Sequence, residues 1–318
     1  MQARRNIWIL GGTGFIGTSL TAHLRKNPLN KLHMLVHRNI PYRKLEDINI
    51  FAGGIADIRP EWLINYPPDV VFHLARPAGS YHITRKLAAL DARRGNRHLF
   101  NLLHSLSKPP VLVYVSGSLM YGPQGMDTFA NEETPLNPTS FARYYIEGER
   151  IWLEAQKQGM LDIRFARPAW ILGPASWFRE FYWKFFLLNR KIPVFGTGMQ
   201  EMSLIHLDDC AGMIDRLSTH GQPNRNLNIF SGPAVTQLEF SRQIAANLGV
   251  EIQYVSEKTL ARKYGKTTAS ALLESIPMKT RYPELYEHTE WMFPGIDSMI
   301  KHTLALLENE KGIFPKAP

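Results

Sequence analysis

The chain has 318 residues, 44% of them hydrophobic, which is ample for a packed core and excludes an intrinsically disordered chain. The single cysteine, Cys210, excludes an internal disulfide and fits a reducing compartment, so a cytoplasmic location is expected. The net charge of +9 is spread without a long Lys/Arg block, which argues against a nucleic-acid partner and leaves room for a basic cleft facing an anionic ligand. No window approaches the about 20 apolar residues of a transmembrane segment. The apolar run behind Met1–Arg5 ends at a glycine turn rather than a cleavage site, so no signal peptide is expected.

Ile7–Leu10 is a short apolar run of the length of a buried strand. Gly11, Gly14 and Gly17 follow at G-x-x-G-x-x-G spacing, and an amphipathic stretch, Phe15–Arg25, comes at once. Strand, glycine turn and helix in that order predict a dinucleotide site. Gly11 permits the tight turn, Gly14 lets backbone approach a pyrophosphate, and Gly17 lets the helix pack against the strand. The helix N-terminus offers N–H groups and a positive dipole end to the phosphates. Leu32–Val36 reads as a second strand, with Arg38 just beyond it where an acidic residue would bind a ribose 2′-hydroxyl. An arginine suits a 2′-phosphate, so NADP(H) is expected over NAD(H).

Ile50–Gly53, Asp69–Leu74, Val111–Val115 and Asp162–Ala166 read as further strands. A basic helix at about Thr84–Leu106 and a helical period over Phe141–Gln158 lie between them. This alternation predicts an α/β fold, a Rossmann-like doubly wound parallel sheet with ligands at the strand C-termini. After Gly173-Pro174 the character changes. Trp177–Leu188 is aromatic and helical in period, and Pro193–Gly198 reads as a loop. Strands are expected at Ser203–Leu207, Asn226–Phe230 and Glu251–Val255. Helices are expected at Asp208–Leu217, Thr236–Leu248, Thr259–Tyr264 and Ile296–Glu310. Thr236 and Glu239 have capping-box spacing. The expected division is a dinucleotide-binding region at 1–174, rejoined by 203–232, and a smaller mixed substrate region from 175–202 and 233–318.

Several segments together resemble the extended short-chain dehydrogenase/reductase family, in its epimerase/dehydratase branch. They are GGTGFIG at 11–17, Asp57-Ile58, His73-Leu74-Ala75, and Tyr114-Val115-Ser116 through Tyr121-Gly122. Arg167-Pro168 with Gly173-Pro174, Gly196-x-Gly198-x-Gln200 leading to Ile205-His206-Leu207-Asp208-Asp209, and Asn228-Ile229 with Ser231-Gly232 complete the set. The likeness covers about residues 6–250. It implies a nicotinamide cofactor lying against Gly11, Thr13, Gly14, Phe15, Ile16, Gly17, Arg38, Asp57, Ile58, Leu74, Ala75, Arg76, Tyr145, Pro168, Ala169 and Ile171. It implies structural roles for His206 and Asp209. No His/Cys cluster has metal spacing, and no metal is expected.

The catalytic positions depart from that family. Its members use a Ser or Thr after the fifth strand and Tyr-x-x-x-Lys on the next helix. Alignment on Tyr121-Gly122 places Gly117 in the Ser/Thr slot. Alignment on Glu147-Gly148-Glu149 places Phe141 in the Tyr slot and Tyr145 in the Lys slot. A phenyl ring has no proton to transfer, and a neutral phenol cannot replace an ammonium. Tyr145, four residues after Phe141, and the serines Ser116 and Ser118 flanking Gly117 are the candidate replacements. Met202 stands where nucleotide-sugar enzymes of the family place a diphosphate-binding arginine, which turns the expected substrate toward something small and more hydrophobic. The aromatic segment Trp177–Leu188 suits a pocket wall or an interface, and a homodimer is the assembly considered. Three functions follow. The first is an atypical NADP(H)-dependent oxidoreductase with a non-standard acid. The others are a non-catalytic cofactor-binding regulatory or redox-sensing protein and a sugar epimerase or dehydratase.

Overall fold

The computed structural model describes residues 5–37, 47–76, 82–139 and 141–311. Arg38 lies outside the described residues. The chain opens with β1 (Arg5–Leu10), α1 (Phe15–Arg25), β2 (Asn30–Val36), β3 (Asn49–Ala52) and α2 (Pro60–Asn65). It continues through β4 (Val70–His73), α3 (His82–His104), β5 (Val111–Val115), α4 (Tyr145–Lys157), β6 (Ile163–Pro168) and β7 (Trp170–Leu172). After α5 (Lys184–Asn189) come β8 (Lys191–Phe195), β9 (Glu201–Met202), β10 (Leu204–His206), α6 (Leu207–His220), β11 (Leu227–Ile229), β12 (Val235–Thr236) and α7 (Gln237–Leu248). The chain closes with β13 (Glu251–Val255), α8 (Glu257–Tyr264), α9 (Lys266–Leu273) and α10 (Ile296–Lys311).

Seven strands form one parallel sheet in the order β11-β6-β5-β4-β1-β2-β3. Continuous apolar strands such as Ile7–Leu10 and Val70–His73 are buried throughout because helices cover both faces. The strand order reverses between β1 and β4, which pair Ile7 with Val70 and Leu10 with His73. Ligands of doubly wound sheets bind at such a reversal, outside the strand C-termini. Asn96 of α3 fixes the helices beside it. Its side chain meets His73 Nε2 at 2.8 Å and donates to the Gly148 carbonyl of α4 at 2.8 Å, so sheet and both helices hold one register.

The C-terminal residues form a second core against the strand ends. Phe178, Tyr182, Phe186, Phe195, Phe240, Ile244, Leu272 and Ile300 are buried in it. Residues 203–232 return to the first body, since α6 carries the chain back to β11, which pairs with β6. The last stretch, which lies beyond the family likeness, is tied down by buried polar groups. Glu132 accepts from Asn228 N–H at 2.9 Å, Thr280 hydroxyl at 2.8 Å and Arg281 N–H at 2.9 Å. Asp209 accepts from Met292 and Phe293 N–H at 2.8 and 3.1 Å. No helix among the described residues is long and apolar enough to cross a membrane.

Three local expectations are corrected. Lys191–Phe195, read in part as a loop because of Pro193, is a strand that pairs with β13. Pro193 is tolerated there because only two strands are present and its carbonyl accepts from Ser241 Oγ at 2.7 Å. The helix expected from Phe141 begins at Tyr145, and residues 141–144 form turns, with Tyr145 N–H reaching Ala142 O at 2.9 Å. The aromatic helix is interrupted by a π-turn at Arg179–Trp183. Most of its rings are core rather than pocket wall or interface, with Phe178, Tyr182, Trp183, Phe185 and Phe186 all buried. Thr236 caps α7 as its spacing predicts, accepting from Glu239 N–H at 3.2 Å.

His73 and His206 are buried and neutral, and burial pulls both down to about 4 from an ordinary 6.5. The unfolded chain binds protons at these sites before the folded one does. Their stabilisation is therefore complete above pH 6.5 and is lost as pH falls toward 4. Denaturant titrations at pH 7 and pH 4.5 should show His73 accounting for about 2–3 kcal/mol of the loss. The His73→Gln variant should have a correspondingly shallower pH dependence; an unchanged slope would reject the assignment.

Candidate active site

The glycine turn between β1 and α1 is packed backbone on backbone. Gly11 has φ +91°, and a Cβ there would stand 2.8 Å from Ala75 N at the end of β4. A Cβ on Gly17 would clash with the Gly11 carbonyl oxygen and stand 2.7 Å from Gly12 Cα. Gly14 differs. It is exposed, with φ −79°, and its Cβ would meet only Gly11 O, at 3.2 Å. Space therefore lies open in front of Gly14. Helix α1 starts there with no side-chain cap and no acidic residue in its first turn. An uncapped helix N-terminus behind an open glycine is a cradle that suits a pyrophosphate. The residues present fit a dinucleotide on that ground.

A cavity of about 320 Å³ adjoins this turn. Phe15 and Ile16 of α1 form one side, and Pro168, Ala169, Trp170, Ile171 and Trp177 another. Arg76, Ser116, Gly117, Ser118, Phe141, Tyr145 and Glu149 complete the lining. All three candidate replacement groups, Tyr145, Ser116 and Ser118, thus meet at one cavity, together with the slot residues Gly117 and Phe141. The Phe141 and Tyr145 rings lie 6.4 Å apart, centre to centre, in an edge arrangement. Although Phe141 precedes the helix, the turn brings its ring to the face that Tyr145 presents. Leu74 and Ala75 pack beside Gly11. Asp57 is exposed, and its carboxylate accepts from Gly54 N–H at 2.7 Å, holding its own turn. The Ile58 side chain is buried in the core beneath, and the Ile58 carbonyl meets His98 Nε2 at 2.7 Å. Thr13 is exposed on the turn.

Glu149 is a site residue that the sequence reading used only as an alignment anchor. It is 2% exposed, and the Ser116 hydroxyl donates to its Oε1. Burial pushes its carboxyl above the ordinary carboxylate range, opposed by the positive charges of Arg167 and, more weakly, Arg76. Arg167 is itself buried, with its guanidinium 5.4 Å from the Tyr121 ring centre and 5.2 Å from that of Phe165. The available signal was spacing, since Glu149 lies one helical turn after Tyr145 and shares its face. Arg76 was expected only as a cofactor contact. Its guanidinium lies 5.4 Å from the Tyr145 ring centre, and a Cβ on Gly117 would stand 3.3 Å from Arg76 Nη2. The guanidinium thus fills space that a side chain at position 117 would enter.

Other tempting groups are architectural. His206 Nδ1 accepts from Asp208 N–H at 3.1 Å, capping α6, and its Nε2 meets His302 Nδ1 at 2.9 Å. Asp209 is occupied with the backbone at 292–293. Met202 is buried in the second core and is not on the cavity wall. The wall's apolar character comes from Phe15, Phe141, Trp170 and Trp177 instead.

The model of the NAD dependent epimerase/dehydratase family matches residues 7–229. The dTDP-D-glucose 4,6-dehydratase of Dictyostelium discoideum is 25% identical over 270 residues, covering 76% of this chain and 61% of that one. The chain spans about 60% of the length of the first dehydratases it matches. Among solved structures, dTDP-glucose 4,6-dehydratase from Bacillus anthracis, in complex with NAD, superposes with a TM-score of 0.78 at 19% identity. It covers 97% of this chain and 98% of that one. The human epimerase family protein SDR39U1, with NADPH, gives 0.74 at 20%, covering 96% and 99%. At such identities the structural likeness speaks for the fold. The family match spans most of the chain and includes the glycine turn, the cavity and β11, and by it the chain belongs to the NAD dependent epimerase/dehydratase family.

Proposed function

We propose that the protein binds a nicotinamide dinucleotide across the Gly11–Gly17 turn and acts as an oxidoreductase on a small, largely apolar carbonyl or alcohol substrate. The observation that carries this reading is the cavity that opens from the glycine turn and gathers Tyr145, Ser116 and Ser118 on its wall. When bound, the reduced cofactor supplies a hydride. The chain's own residues orient the acceptor and supply the proton its oxygen requires. Phe141 can only exclude water. Tyr145 offers a hydroxyl on the same face, one turn into the helix. The Ser116 hydroxyl donates its one proton to Glu149, so while that bond stands it offers the cavity only a lone pair. Loss of one standard acid costs typically 10²–10⁴-fold, which leaves room for slow turnover.

A non-catalytic regulatory or redox-sensing role is the second reading, favoured by one observation. Ser116 is 1% exposed and bonded inward, so fewer polar groups face the cavity than its lining suggests. The relatives' names favour the third reading, a dehydratase or epimerase acting on a nucleotide sugar.

Calorimetric titration of the full chain with each dinucleotide is the first test. NADP(H) should bind at least tenfold more tightly than NAD(H), and Arg38→Ala should remove the difference, as expected for a lost arginine–phosphate pair. Equal affinities in the wild type would count against the preference. Gly14→Val should fold, because its backbone is unstrained, and should abolish binding by filling the space before the helix N-terminus. Retained binding in that variant would move the cofactor elsewhere.

A second test follows NADPH oxidation over a panel of small aldehydes and ketones. If the Tyr145 hydroxyl is the acid, Tyr145→Phe should lower kcat by on the order of 10²-fold and leave dinucleotide affinity within a few-fold. A drop in affinity with kcat held would make Tyr145 a ribose contact. No turnover in any variant, Phe141→Tyr with Tyr145→Lys included, would favour the non-catalytic reading.

A further inference from the structure

The charges around the cavity do not balance. Its lining includes one basic group, Arg76, and one acidic group, Glu149. Glu149 turns away from the open space to Ser116, and its first electrostatic partner is the buried Arg167 rather than Arg76. Burial pushes the Glu149 carboxyl above the ordinary range, opposed first by Arg167 and last by Arg76. Two guanidiniums therefore share one carboxyl. Among the described residues no carboxylate makes an ion pair with Arg76.

Arg76 is exposed and meets a ring on one side. Its guanidinium lies against the Tyr145 ring, and the missing side chain at Gly117 leaves the space it enters. Gly117 has φ −179°, an extended conformation open to any residue, so backbone geometry does not require a glycine there. The glycine leaves room that the Arg76 guanidinium borders, 3.3 Å from where a Cβ would stand. A guanidinium cannot lose its proton and presents a planar fork of donors, which fits a carboxylate bidentately. Apart from serines, the remaining wall is largely aromatic and aliphatic, Phe141, Trp170 and Trp177 included.

We propose that Arg76 and the gap at Gly117 form a monoanion subsite, and that the ligand of this cavity is an amphipathic monocarboxylate. Its carboxylate pairs with Arg76, and its apolar body lies along Phe141, Trp170 and Trp177. This rests on the cavity being the substrate site, and it replaces a wholly apolar substrate with one charged at a single end. A dinucleotide phosphate is the other anion that could reach an arginine at the end of β4, and the test separates the two sources.

The full chain is titrated with sodium benzoate and with the neutral isostere benzamide, reading tryptophan fluorescence, since Trp170 and Trp177 line the cavity. Benzoate should bind saturably and at least tenfold more tightly than benzamide. Arg76→Met should abolish that preference while benzamide binding stays within threefold, and Arg76→Lys should keep part of it. Saturating NADP+ should leave the benzoate affinity within threefold. Equal binding of the two probes, no saturable binding, or a preference that survives Arg76→Met would overturn the proposal. Competition between benzoate and NADP+ would also overturn it, assigning Arg76 to the cofactor's phosphates. Should NADP+ fail to bind while the benzoate preference and its loss in Arg76→Met hold, the dinucleotide reading falls and the subsite stands.

Discussion

The site depends on a contact between two stretches of backbone. The turn after β1 and the end of β4 approach so closely that a single methyl at Gly11 would collide with Ala75 N. Gly17 closes the same contact from the helix side, against the Gly11 carbonyl. Parallel strands leave their carboxyl ends unpaired at the sheet edge, and where strand order reverses the flanking loops diverge and open a crevice. Here that crevice receives an uncapped helix N-terminus from one side and Arg76 from the other. A positively charged rim in front of Gly14 follows from this geometry, with few charged side chains needed to make it.

Buried polar groups, beside apolar contacts such as Leu285, Ile276 and Met278, tie the C-terminal stretch to the first body. Glu132, Asp209 and Asn228 each satisfy backbone N–H or C=O groups of the C-terminal stretch. Tyr121 and Tyr286 add hydroxyls to Asn228, through its side chain and its carbonyl. Such groups are costly when left unpaired, so they specify one docking arrangement more sharply than apolar contact would. The consequence reaches the cavity. Trp170 and Trp177 pack at the seam with the second core and also wall the space above the cofactor turn. The same aromatic segment that builds the second core supplies apolar wall to the cavity.

Much of the fold was legible residue by residue. Ile7–Leu10, Leu32–Val36 and Val111–Val115 are uninterrupted apolar runs, and a fully covered parallel sheet demands such runs. The glycine spacing located the turn because each glycine answers a local steric demand. Elements near Pro193 and Phe141 were less legible. Pro193 looks like a strand breaker until its partner strand and its accepting carbonyl are known, and the start of α4 depends on turn hydrogen bonds at 139–145 rather than on periodicity. Arg38, on which the choice between NADP(H) and NAD(H) rests, lies outside the described residues.

The sequence by itself determined the parallel α/β architecture, the place of the glycine turn, and which functional groups stand at positions 141 and 145, a phenyl ring and a phenol. These are questions of local pattern and of which functional groups a side chain carries. Tertiary structure alone decided which of the remaining polar groups meet. Glu149 reads as an ordinary helix carboxylate until burial raises its proton affinity and Ser116 bonds to it. Gly117 reads as a lost hydroxyl until the Arg76 guanidinium, 41 positions earlier, is found 3.3 Å from where a Cβ would stand. Met202 reads as substrate-facing until it proves to be core. In each case the deciding quantity is a distance across the chain, or the dielectric and steric surroundings that packing creates. No pattern along the sequence encodes those quantities directly.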